Sequence, residues 1–312
     1  MTGGTTVDGG TGLVVVSYRS SGMLAENLPA PGTDGPTVVV VDNYSDETER
    51  HAVTRLARER GWTTVLNDGN PGFGTGVNAG VDRAWEAGCD VVVLVNPDLA
   101  ITADGVARLA AAARAEPDAL VAPRIVTGQG RPWSGLGSVD LAGGRLWTDD
   151  RADRAWLSGA CLAFSRAVWE RAGGFDDDYG MYWEDVDLSF RVQDTGGRLR
   201  VLPDVEARHD VGGTQGGPGH KSALYHYYNC RNRLVFAAKH LGPAHRWAWV
   251  VRTPADVRRV LSRSSDTRWQ KLRTAFGPAL AGVVDGGLWM VGLRRRRPVD
   301  PGAVRARLGP AA

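Results

Sequence analysis

The sequence predicts an α/β fold: a mostly parallel central sheet flanked by helices, with a helical appendage at the C-terminus. Three observations predict it. Short apolar, β-branched runs at 13–17, 38–41, 63–66 and 91–95 alternate with helix-length stretches, the pattern of repeated βα units. The length, 312 residues, exceeds the usual single domain but suits one large α/β domain and a tail. Charge is also uneven. Of 37 Lys and Arg and 35 Asp and Glu, residues 241–312 hold 14 and 4, leaving 23 and 31, a net −8, for residues 1–240.

Residues 1–12 are Gly- and Thr-rich, without the basic start and apolar core of a signal peptide, and are expected to be disordered. A catalytic domain is expected over 13–241 and a basic amphipathic helical region over 242–312. After the strands at 13–17 and 38–41, Ser45 or Asp46 caps a helix over 46–60 that Gly61 closes. The strand at 63–66 leads to a helix over 76–87 ending at Gly88. The strand at 91–95 leads to a helix over 102–115 ending before Pro117. From Leu120 onward the pattern loosens into strands and Gly-rich loops of a mixed sheet, with one strand at 156–164. Residues 182–193 have a helical period, with Asp187 and Arg191 paired four apart. A Gly-rich loop at 211–219 precedes a helix over 221–241.

Cys89, Cys161 and Cys230 lie far apart with no CxxC spacing, which argues against a disulfide framework or a cysteine zinc site and fits a reducing cytoplasm. No run of 18 apolar residues is present to span a membrane. In the basic region Trp247, Trp249, Trp269, Leu272, Trp289 and Met290 interleave with Arg252, Arg258, Arg259, Lys271 and the arginines at 294–297. That mixture suits interfacial helices on an anionic membrane surface rather than nucleic acid.

Five motifs carry chemistry. The run at 38–45 ends a buried strand in Asp42, Asn43 and Ser45, where an open sheet binds ligands, although the same residues also make ordinary turns and caps. The turn at 70–80, with Asn70, Gly72, Phe73 and Asn78, feeds a helix whose first N–H groups can hold a phosphate. Its spacing is neither GxGxxG nor a Walker loop. The strand at 91–95 delivers Asn96 and Asp98, hard oxygen donors for a divalent cation bridging a diphosphate. At 176–187 five aspartates and Glu184 crowd around Tyr182 and Trp183, an anionic and apolar wall suited to a sugar. Asp176 to Asp178 form a looser DxD ranked below Asp98 as ligands. Finally, His209 follows a short strand, and a neutral imidazole there would complete a metal site with Asp98.

Taken in order, these motifs resemble the family 2 glycosyltransferases, especially their rhamnosyltransferase-like branch, over about three quarters of the chain. The resemblance implies a GT-A fold, a nucleoside-diphosphate sugar donor, a hydroxyl acceptor (a glycan, lipid-linked or small molecule) and a divalent cation, Mg²⁺ or Mn²⁺. It assigns Asp42 to the nucleobase and Asp98 and His209 to the metal. Trp156 to Ala160, including Gly159, matches an acceptor-side loop that Trp183 adjoins. Of the acidic pair Glu184 and Asp185, the second matches the catalytic base, leaving Glu184 to orient acceptor hydroxyls. Arg231 lies in the family's Arg-Asn helix, near the departing phosphate. Ser17-Tyr18-Arg19 replaces the more usual Tyr-Asn after the first strand, Ser17 being placed at the donor, and Asn96 stands where an acidic residue completes the DxD. The implied activity is inverting transfer of a sugar, rhamnose or another deoxyhexose, in polysaccharide, cell-wall glycan or glycoconjugate synthesis, in the cytoplasm or on the inner face of the plasma membrane. The rival readings are a sugar-nucleotide nucleotidyltransferase, which would need a more basic loop than 13–22 with its lone Arg19, and a non-catalytic nucleotide-sugar-binding module.

Overall fold

The computed structural model describes residues 10–28, 35–209, 221–264, 270, 274–293 and 301–308. The first half is a run of βα units: β1 (Gly10–Ser17), α1 (Ser21–Asn27), β2 (Thr37–Asp42), α2 (Glu47–Glu59), β3 (Thr63–Leu66), α3 (Phe73–Glu86), β4 (Cys89–Val95), β5 (Leu99–Ile101) and α4 (Ala103–Ala115). There follow β6 (Ala119–Thr127), β7 (Pro132–Ser134), β8 (Leu136–Asp140), β9 (Arg145–Trp147), β10 (Arg154–Leu157), β11 (Cys161–Ser165), α5 (Arg166–Ala172), α6 (Glu184–Asp194) and β12 (Arg198–His209). Four helices complete the described chain: α7 (Ala223–His240), α8 (Pro243–Ser262), α9 (Phe276–Met290) and α10 (Pro301–Leu308).

The main sheet has the order β3-β2-β1-β4-β11-β6-β12-β5, with β7 paired to β6. β3, β2, β1 and β4 are mutually parallel, as are β6 and β12, whereas β11, β5 and β7 join antiparallel. The sheet is therefore mixed, with its parallel half built from the βα units. A second sheet of three antiparallel strands, β10-β8-β9, stands beside it.

Alternation explains the layers. Leu13 and Val15 of β1 enter one core cluster with Val53 of α2 and Leu109 of α4. Val14 and Val16 enter another with Val77 and Val81 of α3 and Leu188 of α6. Burial on both faces is why these strands are nearly unbroken β-branched runs. Gly80 brings α3 close to the sheet, since a Cβ there would stand 2.6 Å from Val14 Cγ1. Helix starts carry the expected chemistry: Asp46 accepts from the Glu49 amide at 3.0 Å, and Thr102 from the Gly105 amide at 3.0 Å.

Three expectations are corrected. The run at 156–164 is two strands in different sheets, β10 and β11, separated by Ser158, Gly159 and Ala160. An apolar run shows burial but not the corner within it. The helix expected from Tyr182 starts at Glu184, because Tyr182 and Trp183 are left-handed, with φ of 63° and 74°. Asn232 holds this bend: its Nδ2 lies 2.8 Å from the carbonyl oxygens of Tyr179, Met181 and Tyr182. The third helix starts at Phe73 rather than Gly76, so the Gly-rich turn lies largely within it. Short elements without long periodicity, α1, α5 and the strands from β5 to β9, add to those expected. The Gly-rich loop at 211–219 lies outside the described residues. Among those described, no helix is long and apolar enough to cross a membrane.

Candidate active site

A cleft of about 840 Å³ opens at the carboxyl ends of β1, β2 and β4, where an open α/β sheet leaves a crevice for ligands. Tyr18, Arg19, Asn43, Asn70 and Phe73 line one end. Asn96, Asp98 and His209 line it as well, as do Trp156, Gly159, Ala160, Trp183, Glu184 and Asp185, and the Asn96 amide donates to Ala160 O at 2.9 Å.

Strand register brings Asp98 and His209 together. β5 begins directly after Asp98 and pairs with β12, matching Leu99 to His209. His209 Nε2 consequently lies 3.2 Å from Asp98 Oδ1, with both side chains about nine-tenths buried. Trp133 stacks on the imidazole with ring centroids 4.5 Å apart, fixing its plane. Among the described residues, His209 Nδ1 and Asn96 Oδ1 are buried without hydrogen-bond partners. No group of three or more His, Cys, Asp or Glu side chains forms a metal cage among the described residues. Yet Mg²⁺ and its like are held by one or two carboxylates plus substrate phosphates, and adjacent octahedral ligands about 2.1 Å from an ion stand about 3 Å apart. Asp98 and His209 fit that requirement.

The acidic pair sits at the N-terminus of α6. Asp185 Oδ2 accepts from the Gly159 amide at 3.0 Å and Oδ1 from the Val186 amide at 2.8 Å. Burial pushes the Asp185 carboxyl up, against these backbone bonds. Glu184 is pushed well above the carboxylate range by burial and by the charge of Asp185, and its Oε2 has no partner. The two neighbours thus differ: Glu184 favours its neutral form, while Asp185 has donors that stabilise an anion. Asp187 is the anchor beneath them. It accepts from Tyr179 Oη at 3.0 Å and Arg191 Nε at 2.8 Å and faces His240 Nε2 at 2.6 Å, tying α6 to α7.

Five expected donor-binding residues do not reach the cleft wall. Ser17 is fully buried, its hydroxyl 3.0 Å from that of Ser20. Asp42 is buried and held by Arg50 Nε at 2.9 Å. Asn43 reaches the cleft instead, donating to Gly72 O at 2.8 Å and accepting from Asn67 at 2.9 Å. Gly72 is pressed against the Gly180 backbone, and the Phe73 amide donates to Gly180 O at 2.8 Å, so the start of α3 is a packing contact rather than a phosphate cradle. Asn78 binds the Phe175 backbone through both amide ends, at 2.8 and 2.9 Å. Arg231 is buried and donates to Asp178 O at 2.7 Å, clamping the bend before α6. The looser DxD also has other partners: Lys239 pairs with Asp176 and Asp178, and Asp177 accepts from Thr75 at 2.7 Å.

The basic region is corrected likewise. Trp249 is fully buried, under Arg233 at 4.7 Å and beside Trp183 at 6.0 Å, so it cannot enter a membrane. Trp289 and Met290 pack against the same cluster, and Arg259 pairs with Asp256. Trp247 is 69% exposed, while Trp269, Lys271, Leu272 and the arginines at 294–297 lie outside the described residues. Sequence reasoning missed Trp133 and the cations Lys221, Arg263 and Arg305 on the cleft wall. No local signal marks them, because long-range packing brings them there.

The family model described as "Glycosyltransferase like family 2" matches residues 9–237. The N-acetylglucosaminyl-diphospho-decaprenol L-rhamnosyltransferase of Mycobacterium tuberculosis is 30% identical over 309 residues, covering 85% of this chain and 97% of the relative. The low-salt glycan biosynthesis hexosyltransferase Agl10 of Haloferax volcanii is 23% identical, covering 72% and 74%. Among solved structures, the mannosyltransferase PcManGT from Pyrobaculum calidifontis, in complex with GDP-Man and Mn²⁺, aligns with a TM-score of 0.52 at 19% identity, covering 92% of this chain and 84% of that one. S. aureus TarS in complex with UDP-GlcNAc aligns at 0.51 and 15% identity, covering 92% and 93%. The architecture is thus the GT-A fold that the motifs implied.

Proposed function

The chain belongs to the family 2 glycosyltransferases, and from that premise we propose that it moves a deoxyhexose of the rhamnose type from a nucleoside diphosphate to a hydroxyl of a lipid-linked acceptor, in the building of a cell-surface glycan. The observation that carries this reading is one cleft lined both by Asp98 and His209, 3.2 Å apart, and by Asp185. The choice of sugar and acceptor is supported by the mycobacterial relative, which takes a diphospho-decaprenol substrate. Nucleotidyl transfer is not supported, since Arg19 is the lone cation after β1 and the family match runs through β12 and α7.

Asp98 and His209 would hold the divalent cation, with the Asn96 amide oxygen beside them. When bound, that ion neutralises the charge developing on the departing diphosphate. Asp185 takes the proton from the acceptor hydroxyl as the oxygen attacks the anomeric carbon from the face opposite the diphosphate, so the configuration inverts. The Gly159 and Val186 amides fix the Asp185 carboxylate for that transfer. Glu184, whose neutral form burial and the Asp185 charge favour, lies beside it on the cleft wall to orient acceptor hydroxyls.

A peripheral site on an anionic membrane, on the cytoplasmic face, completes the reading. Gly282 and Gly286 let α9 lie directly on the α7 backbone. The opposite face then exposes Phe276, Leu280, Val284 and Leu288 four residues apart, with Trp247 and Val251 exposed on α8. The deciding assay supplies dTDP-rhamnose, Mn²⁺ and N-acetylglucosamine on a short polyprenyl diphosphate. Product heavier by one deoxyhexose supports the proposal, and no product with this donor and acceptor sinks the choice of substrates.

A further inference from the structure

Beyond Tyr182 the cleft wall changes sign. Lys221, Arg263 and Arg305 line it from three different elements, the residue before the Ser222 cap of α7, the end of α8, and α10. None of the three is in ion-pair contact with a carboxylate among the described residues, although many other cations of the described chain are so paired. Tyr225 joins two of them. Lys221 Nζ lies 5.2 Å from its ring, Arg263 Nη1 donates to its hydroxyl at 3.3 Å, and its ring packs edge-on to Tyr182 at 5.4 Å. Val304, the neighbour of Arg305, packs with Leu224, Tyr227 and Tyr228 beside Met181 and Tyr182. Tyr182 stands just before Trp183, Glu184 and Asp185, so the cluster joins the cleft on the side of the base.

Lys221 and Arg305 are half-buried while Arg263 is exposed; like charges so gathered repel one another, and burial together with Arg263 lowers the basicity of Lys221. Arg305 Nε is buried with no hydrogen-bond partner among the described residues. Such a set becomes favourable when an anion with several oxygens accepts from all three. The positive N-terminal end of α7, just past Lys221, adds to the same field.

We infer that Lys221, Arg263 and Arg305 bind the diphosphate of the acceptor, a second anion site separate from the metal-dependent donor site at Asp98 and His209. The inference rests on the lipid-linked acceptor proposed above. Its continuation supports it: α10 carries Arg305 on the cleft wall and, three residues on, Leu308 in a groove that Leu280, Ala281 and Val284 of α9 line together with the Asp285–Arg307 ion pair. A diphosphate held at the cations therefore has a mostly apolar path for its hydrocarbon, past the Asp285–Arg307 pair and along the exposed stripe of α9.

The test separates the two diphosphates by their need for metal. Inorganic pyrophosphate is titrated calorimetrically into the full chain in EDTA, comparing wild type with Lys221→Met/Arg263→Met/Arg305→Met. The same proteins are titrated with a nucleoside diphosphate and Mn²⁺. The expected result is pyrophosphate binding weakened about tenfold or more in the variant, as for lost charge-assisted bonds, with nucleotide binding unchanged. Arg263→Lys/Arg305→Lys should retain pyrophosphate binding, which separates charge from misfolding. In kinetics, KM should rise for the diphosphate-linked acceptor and stay constant for an alkyl glycoside of the same sugar. Equal pyrophosphate affinity in wild type and triple variant overturns the inference, as does a parallel loss of nucleotide affinity, which would give the cations to the donor. If the pyrophosphate difference stands while neither acceptor is glycosylated, the anion site is supported and the proposed substrates are what fail.

Discussion

His209 Nε2 stands 3.2 Å from Asp98 Oδ1 because β12 pairs with β5 in the register that sets His209 opposite Leu99. If these two residues share a divalent cation, His209→Ala and Asp98→Ala should each weaken donor affinity and Mn²⁺ dependence together. A metal titration of turnover checks this, and a His209→Ala enzyme that titrates like wild type refutes the ligand assignment.

The pH profile carries a sign. Burial raises the Asp185 carboxyl, so the ionised base is lost as pH falls through a value above the ordinary carboxylate range, about 3.9 for aspartate. The acid limb of kcat/KM should therefore lie above that range. A limb at the ordinary value, measured with a donor that does not itself titrate there, would contradict the role.

Asp187 behaves oppositely. Burial pushes its carboxyl up, but the His240 hydrogen bond and Arg191 outweigh this and hold it below the ordinary value. Its contribution to stability is therefore present above about pH 4, the unfolded value, and is lost as pH falls through the lower folded one. Asp187→Asn should cost about 3–5 kcal/mol at pH 7, as for a buried pair losing one partner. The gap from wild type should shrink in urea melts near pH 3. A gap independent of pH would show that charge is not what Asp187 supplies.

The exposed stripe on α9 gives a membrane prediction. Wild type should float with anionic vesicles more than with neutral ones, each basic residue near the surface adding about 1 kcal/mol. Leu280→Asp/Val284→Asp should stay in the soluble fraction. Equal soluble recovery of wild type with both vesicle types would count against a membrane site.

What the sequence reveals follows from where each signal is stored. The β-branched runs of β1, β2 and β4 are legible because burial on both faces demands them. The acidic pair, Asp98 and His209 are legible as motifs, and register then brings the last two together. Asp42 and Asn78 have suitable chemistry in suitable places but are bound by Arg50 and by the Phe175 backbone, partners no local pattern names. Trp249 looks like an interfacial aromatic until Arg233 and Phe236 are seen around it. Lys221, Arg263 and Arg305 leave no trace in sequence as a group, since only the packing of three helices on Tyr182 unites them.

The most direct test of the account is the turnover of Asp185→Asn and Glu184→Gln, with donor affinity measured separately in each. General-base catalysis is worth roughly 10² to 10⁴-fold, so Asp185→Asn should lower kcat by about that factor with donor affinity nearly unchanged. Glu184→Gln, which puts a neutral amide where burial disfavours the charged carboxylate, should lose less. A larger loss of kcat in Glu184→Gln than in Asp185→Asn would contradict the account and exchange the two roles.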